Sequence, residues 1–251
     1  MTTGAVPSTG AAHYTFQGRP VTMPVEVRDA SSAAATYLVD TSVARSMLPS
    51  PDLDVVELLP GRALFSIAAI DYRDNDLGDY DEISLAFFVR ERGAPRGLPY
   101  LGTLIDFLRG NVATYIWKLP VNQSFTRDAG AGIWGFPKTV DVIDFDDAGD
   151  RRRARLVMDG RHVLTLSTLA RGSRTIPDAP TTTYTMVDGR LHHTRFTMGS
   201  HEVGFALGGA ELMLGDHPIA AELRRLGLPK RALMTMWMGR QRARFGAPVP
   251  V

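Results

Sequence analysis

The 251-residue chain is 44% hydrophobic with a formal net charge of +1, which is enough apolar content for a sizeable core and too little charge to gather nucleic acid or an anionic membrane. It contains no cysteine, so disulfides and thiolate metal sites are excluded. Met1 to Pro20 has neither the basic nor the apolar stretch of a secretory leader, and no apolar run reaches the ~18 residues of a membrane span, so the expected location is cytoplasmic.

Residues 1–20, rich in Gly, Ala, Ser and Thr, read as a flexible arm, and residues 21–251 as a single domain without a dividing linker. Val21 to Arg28 alternates as an edge strand that tolerates Pro24. Ala33 to Val39 is a second strand, after which Asp40 or Thr41 caps a short helix through Met47-Leu48 that Pro49 stops. Val55 to Leu59 is extended. Ala63 to Tyr72 is a nearly continuous apolar run, suited to a sheet covered on both faces. Asp74, Asp76, Asp79, Asp81 and Glu82 form an acidic stretch whose spacing fails the calcium-loop pattern of alternating ligands, central glycine and terminal glutamate. Most of it reads as a solvated loop, with Glu82 at the mouth of the strand Ile83 to Arg90. Pro99 to Arg109 predicts an amphipathic helix with Leu101, Leu104, Ile105 and Leu108 on one face and Gly110 beyond it.

Val112 to Leu119 is extended, and residues 120–123 turn the chain into Gly130-Ala131-Gly132-Ile133-Trp134-Gly135-Phe136-Pro137-Lys138. A strand over Lys138–Phe145 follows, with a turn at Ala148-Gly149-Asp150. Asp159-Gly160 and Asp188-Gly189, each flanked by alternating or β-branched runs, predict two hairpins. Asp216 is the expected cap of a helix over Pro218–Leu226, and Leu233 to Gly239 a final strand before loose terminal residues. The fold class is therefore mainly β with a few short α-helices (α+β), an antiparallel sheet curled into a barrel-like core.

Chemistry concentrates at Lys138. No charged residue lies between it and Asp128, so its ammonium enters an apolar surface. A lysine in water, with a pKa near ~10.4, is neutral in only about one molecule in two thousand at pH 7. Burial alone depresses such a value by about 3–5 units. A neutral amine adds to a ketone and gives an iminium, an electron sink for breaking a neighbouring carbon–carbon bond. The same window also fits a solvated strand-end lysine, and the residues alone leave both readings open.

The run Trp134-Gly135-Phe136-Pro137-Lys138, with the Gly130-containing turn before it and alternating apolar residues after it, resembles the active-lysine motif of the acetoacetate decarboxylase family. The order of elements is similar from about residue 21 to 245, including Tyr80-Asp81-Glu82 and Leu214-Gly215-Asp216-His217-Pro218. The resemblance implies a Schiff base between Lys138 and a β-keto acid, Glu82 as an acid–base group in the cavity, and Arg28, about two residues out of register, at the substrate carboxylate. Phe136, Trp134, Phe65 and Gln123 are the further substrate-binding candidates. It implies a carbon–carbon lyase with no metal or organic cofactor, a small-molecule keto acid as partner, and a homo-oligomer. Three departures stand out. Thr139 replaces a second lysine, whose like charge about 6 Å away would contribute roughly 2.8 kcal/mol at an effective dielectric near ~20; Gly132 and Ser66 stand where family members often carry glutamates. With fewer acids, aldol or dehydration chemistry through the same enamine is the alternative. A barrel that binds an apolar ligand, with Lys138 as a polar anchor, is a third reading.

Other clusters read as structural. His192 and His193 are adjacent on a strand and face opposite sides. Arg151, Arg152, Arg153 and Arg155, and Arg240, Arg242 and Arg244, read as solvated hairpin faces or oligomer contacts.

Overall fold

The structure, a computed structural model, describes residues 12–94 and 100–251. In chain order the elements are β1 (His13–Phe16), β2 (Arg19–Thr22), β3 (Val25–Asp40), α1 (Thr41–Ser46), β4 (Leu53–Val55), β5 (Glu57–Leu59), β6 (Arg62–Asn75), β7 (Tyr80–Glu91), α2 (Leu101–Leu108) and β8 (Ala113–Lys118). There follow α3 (Ser124–Trp134), β9 (Val142–Ala148), β10 (Arg151–Met158), β11 (Arg161–Leu169), β12 (Arg174–Val187), β13 (Arg190–Leu207), β14 (Glu211–Leu214), α4 (Pro218–Arg225) and β15 (Met234–Pro250).

Seven strands close a ring in the order β3, β6, β7, β8, β12, β13, β15 and back to β3. All neighbours are antiparallel except β8 and β12, which pair parallel at Thr114–Thr183 and Tyr115–Tyr184, so the barrel is mixed. A second, antiparallel sheet runs β14-β11-β10-β9. The hairpins expected at Asp159-Gly160 and Asp188-Gly189 join β10 to β11 and β12 to β13. All four turn residues have positive φ, 51° and 71° in the first and 49° and 73° in the second, the geometry whose twist matches the flanking strands.

Period-2 alternation sends the two faces of β6 and β7 into different cores. Phe65, Ile67 and Ala69, with Ile83, Leu85 and Phe87, face Leu156, Leu164 and Leu166 of the second sheet and Leu223 of α4. Ile70, Tyr72, Tyr80 and Ala86 face the other way, against Phe125, Ala129, Ile133 and Trp134 of α3. Glu82 sits two residues after Tyr80 and shares the α3-facing side.

Several expectations change. The turn expected around Gly130 is part of α3, an 11-residue helix. Its two internal glycines lower helix propensity by about 1 kcal/mol each relative to alanine, but its buried stripe, Phe125, Ala129, Ile133 and Trp134, supplies the packing that overrides them. The arm expected through residue 20 becomes, from His13 on, the hairpin β1–β2. It is held by Phe16, whose ring lies where a Cβ at Gly132 would come within 2.5 Å, and by Gln17, which donates to Asp128 at 2.7 Å. The final strand runs on to Pro250, paired with β13 up to His192. α4 is capped by His217, whose Nδ1 accepts from the Ile219 N–H at 3.2 Å, rather than by Asp216. Helix α2 forms with Leu101, Leu104 and Ile105 exposed, whereas Phe107 packs edge-on against Phe88. Among the described residues no helix is long and apolar enough to cross a membrane.

Candidate active site

Lys138 reaches the α3-facing core from a loop rather than from a strand. α3 ends at Gly135, in the left-handed region at φ 66°, where the Gly135 and Phe136 N–H groups return to the carbonyls of Ala131 and Gly130 at 3.0 and 3.2 Å. The chain then runs alongside residues 119–121. The Leu119 N–H donates to the Pro137 carbonyl at 3.3 Å, the Val121 N–H to that of Thr139 at 2.9 Å, and the Asp141 N–H to that of Val121 at 2.8 Å. These bonds fix the backbone on both sides of Lys138. Its side chain crosses α3 at Gly130, where a Cβ would stand 2.7 Å from both Cδ and Cε; only glycine leaves room for it.

The lysine ends against β7. Its Nζ is 2.8 Å from Glu82 Oε2, with the two side chains only 3% and 7% exposed. Nζ also stands 4.8 Å from the centroid of the Tyr80 ring, within cation–π reach. Tyr80 stacks on its ladder partner Tyr72, centroids 4.5 Å apart, and the Tyr72 hydroxyl donates to Glu82 Oε1 at 3.4 Å. Burial holds both phenols well above their ordinary range, with the Glu82 charge adding to it at Tyr72 and the neighbouring Tyr72 and then Glu82 at Tyr80, so both stay protonated. The arrangement is a dry amine and carboxylate in contact, backed by two neutral phenols.

The structure thus brings Lys138 and Glu82 together and sends the other candidates elsewhere. Arg28 is half exposed, its guanidinium held by Asp74 at 2.8 Å and Asp76 at 2.7 Å, so the cation expected at a substrate carboxylate is already paired at the surface. Phe65 is fully buried in the opposite core, against Phe87 and Trp117, because odd-numbered residues of β6 face away from Glu82. Trp134 and Phe136 pack on each other at 5.7 Å, and the Trp134 indole donates to the Gly246 carbonyl at 2.8 Å; they clamp the loop that carries Lys138. Gln123 precedes α3 and donates to the Asp79 carbonyl, which ties the turn before Glu82 to the start of the helix. Thr139 is exposed and donates to Asp141 at 2.5 Å, on the side of the loop away from the amine.

Tyr72 and Tyr80 are the site residues that the sequence reading passed over. The available signal was parity: Tyr80 stands two positions before Glu82 on the same strand, and a residue on one face of a strand shares it with i+2. Arg152, read as part of a solvated basic cluster, is buried and binds Asp147 through two 2.7 Å bonds. Asp81, on the opposite face from Glu82, is pushed up to about 6 by burial and then by the charges of Asp71 and Asp79. Among the described residues, no group of three or more His, Asp or Glu is arranged to hold a metal.

Residues 11–243 match the family model of acetoacetate decarboxylase. The chain belongs to this family. Solved structures agree on the fold. The acetoacetate decarboxylase from Legionella pneumophila subsp. pneumophila str. Philadelphia 1 superposes with a TM-score of 0.66 at 15% identity, covering 91% of this chain and 87% of that one. The enduracididine biosynthesis enzyme MppR, complexed with the condensation product of pyruvate and imidazole 4-carboxaldehyde, gives 0.62 at 16% identity over 98% of both chains. An acetoacetate decarboxylase-like enzyme from Sphingomonas wittichii RW1 gives 0.57 at 12%, covering 97% of this chain and all of that one. No curated protein matches in sequence. The fold is thus shared with an acetoacetate decarboxylase and with an enzyme of enduracididine biosynthesis.

Proposed function

We propose that the chain is a Schiff-base-forming carbon–carbon lyase that acts on a keto acid, with Lys138 as nucleophile and Glu82 as its acid–base partner. The observation that carries this reading is the contact of Lys138 Nζ with Glu82 Oε2 at 2.8 Å, both side chains buried. To attack a ketone the ammonium must first shed a proton, and a carboxylate in hydrogen-bond contact can take it. The amine then adds to the carbonyl carbon, and loss of water leaves an iminium. In a β-keto acid the bond to the carboxylate breaks, its electron pair enters the iminium and carbon dioxide departs. The proton that Glu82 took is spent on the departing hydroxyl, which leaves as water, so Glu82 is a carboxylate again; the enamine carbon is then protonated from solvent by way of Glu82, and hydrolysis frees the product and the amine. The Tyr80 ring face beside Nζ favours the cationic iminium over a neutral leaving state.

A second reading keeps the Schiff base and replaces decarboxylation by aldol or dehydration steps at the enamine. It is favoured by Arg28, whose pairing with Asp74 and Asp76 removes the guanidinium that would have gripped the departing carboxylate. MppR, with a pyruvate condensation product bound, is a fold relative in which that kind of ligand is seated.

The chain has three lysines, Lys118, Lys138 and Lys230, which makes the test clean. Borohydride with pyruvate or acetoacetate should reduce an adduct onto the peptide containing Lys138, and Lys138→Arg should abolish it. Equal labelling of the variant would overturn the Schiff-base reading. Carbon dioxide release from a panel of β-keto acids then separates the two chemistries, since adduct without gas favours the aldol reading.

A further inference from the structure

Glu82 uses both of its oxygens, and only one is explained by the chemistry above. Oε2 faces Lys138 and Oε1 faces the Tyr72 hydroxyl at 3.4 Å. The titratable and charged groups around this carboxylate are few: Tyr72 comes from β6, Tyr80 from β7 and Lys138 from the loop, while α3 contributes only the backbone at Gly130. At 3.4 Å the phenol bond is long for O–H···O, which fits a carboxylate whose charge is already met by an ammonium on its other oxygen. When the ammonium loses its charge, Glu82 is left with Tyr72 as its one remaining donor among the described side chains, and a bond to an unshared charge is shorter and about twice as strong as a neutral one.

We infer that Tyr72 is a positioning residue that acts through Glu82, stabilising the carboxylate most when Lys138 is neutral and so raising the share of nucleophilic amine. This inference rests on the Schiff-base reading for its consequence, not for its physics. The proton inventory is simple. Breaking the N–H bond of the ammonium releases a proton that passes by way of Glu82 to solvent, so Glu82 is a carboxylate while Lys138 is neutral, and Tyr72 keeps its own proton throughout, as its burial and the neighbouring Glu82 charge dictate. Stacking on Tyr80 at 4.5 Å fixes the phenol ring, so the hydroxyl holds its aim while Lys138 changes state.

The test is the pH profile of borohydride trapping with pyruvate, compared between the parent and Tyr72→Phe, which keeps the stacked ring. The midpoint in the variant should move upward by about one pH unit, with trapping near pH 7 roughly tenfold slower and the high-pH plateau unchanged. Superimposable profiles overturn the inference, as does a loss of amplitude at every pH without displacement, which is the signature of a merely structural role. In a Glu82→Gln background the further change to phenylalanine should have no effect, and a persisting displacement also overturns it. A second measurement needs no substrate: with ¹³Cε-lysine and ¹³Cζ-tyrosine, the phenol carbon assigned to Tyr72 by its absence from the spectrum of Tyr72→Phe should shift with pH together with the Lys138 signal, and its failure to do so overturns the inference. Absence of any adduct in the parent would sink the Schiff-base reading alone, because the carbon titration still decides the role of Tyr72.

Discussion

Gly130 and Lys138 occupy one space. A methyl at Gly130 would fall 2.7 Å from Cδ and Cε of the lysine and 3.3 Å from Nζ, and the group able to yield is the flexible side chain. Alanine is also the better helix former, by about 1 kcal/mol. Gly130→Ala should therefore move the amine off Glu82 and, by separating a buried ion pair, lower the urea midpoint, the gain in helix propensity offsetting only part of the loss. Displacements near 1 Å cost on the order of a hundredfold in rate, and borohydride trapping should fall by that order. Asp81 gives a second expectation at this scale. Its folded-state value of about 6 lies above the ordinary 3.8 of an aspartate, so the folded protein holds this proton more tightly than the unfolded chain. Stability from this group is complete below about pH 4 and declines as pH rises to about 6. Asp81→Asn should be no less stable than the parent at low pH and increasingly more stable between pH 4 and 6, with a constant difference above that, as read by thermal unfolding across the range.

Whole elements explain why some of this was legible and some was not. The hairpins at Asp159-Gly160 and Asp188-Gly189 were readable because the turn chemistry is local and positive φ is demanded of those very residues. α3 was hidden because its glycines are there for neighbours distant in sequence: Gly130 makes way for Lys138 and Gly132 for Phe16. Motif likeness points to Lys138 and Glu82, which the fold brings into contact, but neither periodicity nor likeness tells which face of β6 looks at them, so Phe65 is read toward the pair although it faces the opposite core, and Tyr72 is left out. Arg28 was misplaced for a similar reason, since the register shift in β3 beside β6 between Val27 and Ala30 is a tertiary feature with no local mark. Trp134 and Phe136, read as substrate-binding, pack on each other at the end of α3. Trp134→Phe removes the indole bond to the half-buried Gly246 carbonyl, which costs about 0.5–1.5 kcal/mol. The unfolding midpoint should drop accordingly, whereas trapping at Lys138 per folded molecule should stay within about twofold.

At the scale of the molecule, the barrel and the second sheet are joined by an apolar core and, at its edge, by one arginine. β10 alternates with Arg152, Ala154, Leu156 and Met158 facing inward, so the periodicity that buries the leucine also buries the guanidinium. Arg152 donates to the Ser31 hydroxyl of β3 at 2.7 Å, stands 3.7 Å from Asp71 of β6 and binds Asp147 of β9 with both arms of its fork. The rings of Phe145 and Trp237 lie 5.0 Å from its central carbon. Three barrel strands and one strand of the second sheet thus converge on a side chain that is 6% exposed. Asp147 is 53% exposed and Asp71 keeps Arg73 and the Ser31 hydroxyl, so Arg152→Ala strands no charge but removes the fork bonds and the packing on both rings, and it should lower stability by about 1–3 kcal/mol in urea unfolding. A lysine keeps the charge but has neither the planar fork for Asp147 nor the flat face for the two rings. Arg152→Lys should accordingly recover less than half of the loss. Full recovery would mean that charge alone, and not the geometry of the guanidinium, holds the second sheet against the barrel.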